Sequence, residues 1–253
     1  FDRPQTLIAL LDRLRPGLVV NAAAYTAVDS AEQERDAAWR ANAEAPGVIA
    51  QWCAAASVPM VHYSTDYVFD GQAEQPYRES DPIDPLNVYG ASKAAGEAAV
   101  RAAGGRHLIF RTAWVYASHS ANFMRTMMRV GAEREVLRVV SDQLGTRTPA
   151  GMIARVTAEA LKHPGQHSGT WHLTALGGTS WHGFAQAIFA AAVERGLLER
   201  APEVQPILAV DYPTPARRPR YSRLDVSKIQ ADFGITLPSW QEGLQRVMEE
   251  LAG

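Results

Sequence analysis

The amino-acid sequence predicts an α/β protein, a doubly wound parallel sheet with a smaller C-terminal lobe. Two patterns predict it. Short apolar, β-branched runs at residues 18–20, 58–63 and 107–111 alternate with segments of one-sided helical periodicity. At least one of these runs passes straight into polar side chains, as in Val61-His62-Tyr63-Ser64-Thr65-Asp66, the way a buried parallel strand ends at a ligand-binding edge. With 253 residues, 47% of them apolar, the chain can bury a sizeable core.

In chain order, Pro4 followed by Leu7, Ile8, Leu10, Leu11 and Leu14 predicts a first helix packed on one side and stopped by Pro16-Gly17. Residues 18–20 form a short buried strand that delivers Asn21, the small Ala22, Ala23 and Ala24, then Tyr25 and Thr26. Small side chains there admit a flat ring close to the backbone, and equally serve tight helix-to-sheet packing. Residues 28–32 read as a loop entering a helix that Asp29 or Ser30 caps. Trp39, Ala43, Val48, Ile49 and Trp52 are core candidates on a helical segment that Pro46-Gly47 interrupts. After the strand at 58–63, residues 70–85 are rich in Gly, Pro and charge and predict an irregular excursion.

Pro82 and Pro85 then set up a helix through Tyr89, Lys93 and Ala98 that Gly104-Gly105 ends. The strand at 107–111 brings Trp114 and Tyr116 to the ligand edge. Residues 122–134 predict a helix with Phe123, Met127 and Val130 on one side, 136–140 a strand, and 153–161 a helix. The smaller lobe comprises residues 169–173, a helix at 181–194, the Pro-rich segment 212–219 and a last helix at 240–251.

Charge and composition exclude several classes of function. A formal charge of -2 with no long cationic run argues against nucleic acid or an anionic membrane as the main partner. No stretch reaches the roughly eighteen apolar residues of a membrane span, and no signal peptide precedes the first element. The single cysteine, Cys53, cannot form an internal disulfide and sits in an apolar helical pattern, so it reads as buried filler in a cytoplasmic protein. No metal-ligand spacing, internal repeat or low-complexity tract stands out. His172 and His182 lack a partner carboxylate at a useful spacing and carry no acid–base expectation.

Chemistry concentrates at Tyr89 and Lys93, four residues apart at a helix start and therefore on one face. A phenol ordinarily keeps its proton to near pH 10, and a fixed cation beside it favours the phenolate. The pair predicts a tyrosine poised as general acid or base. The strand ending in Ser64 and Thr65 places a hydroxyl that can share a substrate oxygen with Tyr89, or simply caps the strand.

Residues 64–71 (Ser-Thr-Asp-Tyr-Val-Phe-Asp-Gly), 85–93 (Pro-Leu-Asn-Val-Tyr-Gly-Ala-Ser-Lys) and Gly96-Glu97 resemble the extended short-chain dehydrogenase/reductases, and within them the dTDP-4-dehydrorhamnose reductase family. Residues 21–29, 110–116, 141–149, 212–219 and 222–224 extend the resemblance along most of the chain. It implies a Rossmann-like fold, with residues 1–145 as the cofactor-binding domain and 146–253 mainly as a substrate lobe interleaved with it. It also implies reduction of dTDP-4-dehydro-L-rhamnose by NADPH or NADH. Tyr89 is then the proton donor, Lys93 lowers its pKa and holds the nicotinamide ribose, and Thr65 holds the substrate oxygen. Phe1, Ala23, Ala24, Tyr25, Thr26 and Tyr63 join Tyr89 and Lys93 as cofactor contacts; Val28, Asp66 and Trp114 join Thr65 as substrate contacts. The basic cluster Arg217, Arg218, Arg220 and Arg223 reads either as a solvated loop or as a phosphate contact on the nucleotide-sugar. A homodimer is compatible with these residues and is not required by them.

One part of the resemblance is missing. None of the nineteen glycines falls in the spacing that cradles a pyrophosphate after a strand. The chain begins where the family has just passed the acidic residue that contacts the adenosine, so the first strand and glycine-rich turn, roughly forty residues, are expected to precede Phe1. A molecule starting at Phe1 is expected to fold poorly and bind cofactor weakly. The rival readings are a nucleotide-sugar epimerase of the same superfamily and a non-catalytic subunit resembling the regulatory β subunit of methionine adenosyltransferase.

Overall fold

Strand and helix alternate as expected, and the hydrogen bonding of the strands makes a four-stranded parallel sheet with three two-stranded pairs beside it. The computed structural model describes residues 1–163 and 167–252. Helix α1 (Thr6–Leu14) ends where Arg15 turns left-handed at φ 44, and β1 (Val19–Asn21) follows. Two short helices, α2 (Val28–Ala31) and α3 (Arg35–Trp39), lead through a π-helical turn (Arg40–Glu44) into α4 (Ala45–Ala55). Strand β2 (Met60–Thr65) runs into a 3-10 turn (Asp66–Val68), and the long helix α5 (Val88–Ala102) leads to β3 (His107–Thr112).

The later elements are shorter and more mixed. They are β4 (Val115–Tyr116), α6 (Phe123–Glu133), β5 (Val136–Val140), β6 (Leu144–Gly145), β7 (Thr148–Pro149), α7 (Ala150–Leu161), β8 (Gly169–His172) and β9 (Thr179–Ser180). Helix α8 (Trp181–Glu194), β10 (Glu203–Ile207), α9 (Ser227–Phe233) and α10 (Trp240–Ala252) complete the chain. The main sheet has the order β1-β2-β3-β8, all parallel, with Asn21 beside His62 and Thr65 beside Thr112 at the carboxyl edge. Beside it, β5 pairs in parallel with β10.

Strand alternation divides the core. Val61, Leu108 and Phe110 face a cluster with α7, α8 and α10, while Met60 and Ile109 face a second cluster with Leu11, Ile49 and Cys53. Both faces are therefore covered, which explains the near-continuous apolar character of β2 and β3. Cys53 is 1% exposed, and burial pushes its thiol up to about 11.

Three local expectations are corrected. Pro46 does not interrupt the helix: the chain stays helical through it, and the irregularity falls just before it as the π-helical turn, a widened turn next to a residue that has no N–H to donate. Neither Asp29 nor Ser30 caps α2, because Asp29 is bonded to Arg218 and to the Ala216 amide instead. Residues 169–172, assigned to the smaller lobe, are the fourth strand of the main sheet. Helix α9 and β10 carried no expectation.

Candidate active site

The site is built around the first turn of α5. Asn87 caps it, its Oδ1 accepting from the Gly90 amide at 2.8 Å, while its Nδ2 donates to the Arg217 carbonyl at 2.8 Å. The Val88 amide donates to Glu32 Oε1 at 2.8 Å. Residue 90 has to be glycine, because a Cβ there would run into the Tyr67 carbonyl and stand 3.0 Å from Pro85 Cβ. That close approach lets the helix start lie directly on the turn that follows β2. The Tyr89 ring meets Tyr67 edge-on at 5.8 Å and 77°.

At the end of β2, the Thr65 hydroxyl donates to Asp66 Oδ1 at 3.0 Å and accepts from the Tyr67 amide at 3.2 Å. Thr65 thus caps the 3-10 turn and faces the site at once, so the two readings of this hydroxyl are compatible. Asp66 is 2% exposed; burial raises its carboxyl to about 6, against donors that include Ser222, Thr65 and Trp114. The contacts from Ser222 and Trp114 are longer-range, since Asp66 Oδ2, Ser222 Oγ and Trp114 Nε1 close no hydrogen bond of standard geometry.

Lys93 is 2% exposed and its Nζ donates to the Tyr63 carbonyl at 2.6 Å. Burial draws its ammonium down to about 8, with Glu97 pulling the other way. Tyr89 departs from expectation. Burial dominates and raises the phenol to about 12, with the neighbouring Thr65 hydroxyl lowering it and the Asp66 charge raising it further. Lys93 is not among the main groups acting on Tyr89; its ammonium lies at the Tyr63 carbonyl.

The remaining expected residues divide. Ala23, Ala24 and Thr26 are exposed just beyond β1, and Tyr25 is half-buried there. Val28 begins α2 and is half-buried. Trp114 follows β3 with a left-handed backbone, φ 48, and stacks on Trp181 at 3.5 Å. Tyr63 reaches this edge by its backbone alone; its hydroxyl bonds Thr157 of α7 at 2.9 Å on the other side of the sheet. Phe1 is 43% exposed at the chain start, outside any element. Of the basic cluster, Arg218 is committed to a two-pronged pair with Asp29, at 3.0 and 2.7 Å. His172 is fully buried between Arg111 and the Asp225 carbonyl and burial drives it down to about 3, so it is a packing residue.

Several contributing residues were not among the expected site residues. Asn42 in the π-helical turn holds both backbone groups of Tyr25, at 2.8 and 3.0 Å, and donates to Ser92 at 3.0 Å, tying the loop after β1 to α5. Behind Lys93, Glu97 receives Arg111 at 2.8 and 2.7 Å in a buried fork. A cleft of about 410 Å³ opens beside the site, lined by Asp29, Arg218, Phe123, Met127, Trp181 and Tyr212 among others. Among the described residues no group of His, Cys, Asp or Glu could hold a metal ion, and no helix is long and apolar enough to cross a membrane.

Residues 1–252 match the RmlD substrate binding domain. A dTDP-4-dehydrorhamnose reductase of Burkholderia thailandensis is 46% identical over 260 residues, covering 99% of this chain and 87% of that protein. One from Shigella flexneri is 42% identical over 254 residues, covering 99% and 85%. The crystal structure of dTDP-4-dehydrorhamnose reductase from Bacillus anthracis in complex with NADP superposes with a TM-score of 0.91 at 35% identity, covering 98% of this chain and 86% of that one. The chain belongs to the RmlD substrate-binding domain family, together with these dTDP-4-dehydrorhamnose reductases.

Proposed function

We propose that this chain reduces dTDP-4-dehydro-L-rhamnose to dTDP-L-rhamnose, the last step of dTDP-rhamnose synthesis, with NADPH or NADH. The observation that carries the reading is the meeting of Thr65, Tyr89 and Lys93 at one sheet edge, in a chain 46% identical to a reductase over nearly its whole length. The residues fit the cofactor: Lys93 has three ammonium hydrogens and only one goes to Tyr63, so two remain for the ribose hydroxyls. The exposed Ala23 and Ala24, with Tyr25 and Thr26, form a low wall along which a flat ring can lie.

When bound, the nicotinamide supplies a hydride to C4 of the sugar. Tyr89 gives its hydroxyl proton to the oxygen on that carbon as negative charge develops there. A phenol held at about 12 keeps that proton until the oxygen demands it. Thr65 orients the same oxygen, Asp66 holds Thr65, and Trp114 and Val28 flank the sugar. The nucleotide end extends into the cleft near Asp29 and Arg218. Residues 1–145 serve mainly the cofactor and 146–253 mainly the substrate.

Tyr89→Phe tests the reading. Turnover is expected to fall on the order of a hundredfold or more, the usual scale for a general acid. Unchanged turnover would exclude the mechanism. Continuous consumption of NADPH separates a reductase from an epimerase, which returns the hydride, and from a non-catalytic subunit, which consumes none.

A further inference from the structure

Arg147, in the connection between β6 and β7, is 0% exposed, and among the described residues none of its three guanidinium nitrogens has a hydrogen-bond partner. A buried, unpaired cation is costly, and burial pulls the Arg147 pKa well down. Two things act in the other direction. The guanidinium lies flat on aromatic rings, its carbon 3.1 Å from the Trp114 centroid and 4.3 Å from that of Trp181. Of the negative groups that act on it, Asp66 is the foremost, followed by Tyr67 and Tyr116.

The same small space holds the loose ends of the site. Asp66 Oδ2, Trp114 Nε1 and Ser222 Oγ are all buried there without a closed hydrogen bond among the described residues. A Cβ on Gly145, two residues before Arg147, would stand 2.8 Å from Ser222 Oγ and 2.9 Å from Trp114 Nε1. Trp114 is held at φ 48, a conformation a bulky residue keeps only when its surroundings enforce it. We infer that Arg147 is a positioning residue: its guanidinium clamps the Trp114 indole beside Asp66, where its charge favours the carboxylate, and so fixes what Thr65 presents to the substrate.

The chemistry turns on one proton. Thr65 has a single hydroxyl hydrogen, and while Asp66 is a carboxylate Oδ1 takes it at 3.0 Å, leaving the Thr65 lone pairs turned to the site. Protonated Asp66 releases that hydrogen and reverses the order of the bond. The titratable groups facing Asp66 are Tyr67 in the same turn, Tyr89 of α5 and Arg147, with Tyr116 of β4 facing Arg147 and with Asp29 and Arg218 acting on Tyr67.

The inference builds on the reductase reading for its effect on turnover, but Asp66 can be titrated without substrate. In protein labelled at aspartate Cγ, carbon NMR follows the Asp66 carboxyl, with Asp66→Asn identifying its signal. The midpoint, about 6 in the parent, is expected to rise by about one unit or more in Arg147→Gln. Arg147→Lys keeps the midpoint but raises KM several-fold, because an ammonium cannot stack as a plate. A parental midpoint in Arg147→Gln overturns the inference, as does a shift in Arg147→Lys as large as in Arg147→Gln. Should Arg147→Gln fail to fold, Asp66→Asn alone decides: stranding the guanidinium without its carboxylate should lower Tm by roughly 5 °C or prevent folding. An unchanged or raised Tm overturns it.

Discussion

Lys93→Met should make the protein more stable and nearly inactive. The ammonium is 2% exposed and titrates at about 8 against an ordinary 10.5. That gap of about 2.5 units, at roughly 1.4 kcal/mol each, is on the order of 3 kcal/mol of folding free energy lost to burying the charge below pH 8. The sign follows from proton counts. Between about pH 8 and 10.5 the unfolded lysine is protonated and the folded one is not, so stability rises with pH across that window and is flat below it. Methionine removes this cost but leaves the Tyr63 carbonyl without its 2.6 Å donor, a loss of about 1–2 kcal/mol. The balance is a gain of about 1–2 kcal/mol at pH 7, or a few degrees in Tm. Denaturant unfolding of both proteins at pH 7 and near pH 10.5 measures it. The variant's advantage should shrink as the parent gains stability. A variant less stable than the parent at pH 7, or a parent whose stability does not rise above pH 8, would refute the account of Lys93 as a costly buried charge.

Glu97→Gln breaks the fork from Arg111, leaves a buried guanidinium half-paired, and should cost about 3–5 kcal/mol, read as a large fall in Tm. The same change takes from Lys93 the carboxylate that supports its ammonium, so the Lys93 midpoint should fall below about 8. Gly90→Ala pushes a Cβ into the Tyr67 carbonyl and displaces the start of α5; turnover should drop by about ten- to a hundredfold while circular dichroism stays that of the parent. Asp29→Asn frees Arg218 beside the cleft and should alter KM for the nucleotide-sugar by up to about tenfold, with under about 1 kcal/mol of stability because the pair is partly exposed.

The sheet was legible because β2 and β3 are covered on both faces, which writes continuous apolar runs into the sequence. The positions of Thr65, Tyr89 and Lys93 were legible for a related reason: a strand end and a helix start are marked locally, the second by Pro82 and Pro85, while the Asn87 cap and the close approach at Gly90 emerge only in the structure. What escaped was long-range. Asn42 meets Ser92 fifty residues on, and Asp29 meets Arg218 from the far end of the chain. Asp29 looked like a helix cap because a cap needs only a neighbour, whereas its real partner is set by tertiary packing. Arg147 escaped because nothing in its own segment tells that a guanidinium will be swallowed by two tryptophans. The charge state of Tyr89 was misjudged since spacing conveys proximity to a lysine and not the loss of water around the phenol.

That misjudgement bears on direction. A phenolate near neutrality would suit withdrawal of a proton from an alcohol, whereas a phenol at about 12 suits delivery of one to a carbonyl oxygen that becomes basic only as it is reduced. The alkaline limit on activity should then come from Lys93 losing its charge near pH 8, well before Tyr89 could ionise. The two origins separate in the variants' residual activity. A limb near pH 8 should persist in Tyr89→Phe and vanish in Lys93→Met. If instead the limb disappears with the phenol, Tyr89 itself titrates there, burial does not govern it, and the sequence-based expectation of a lysine-activated phenolate is restored.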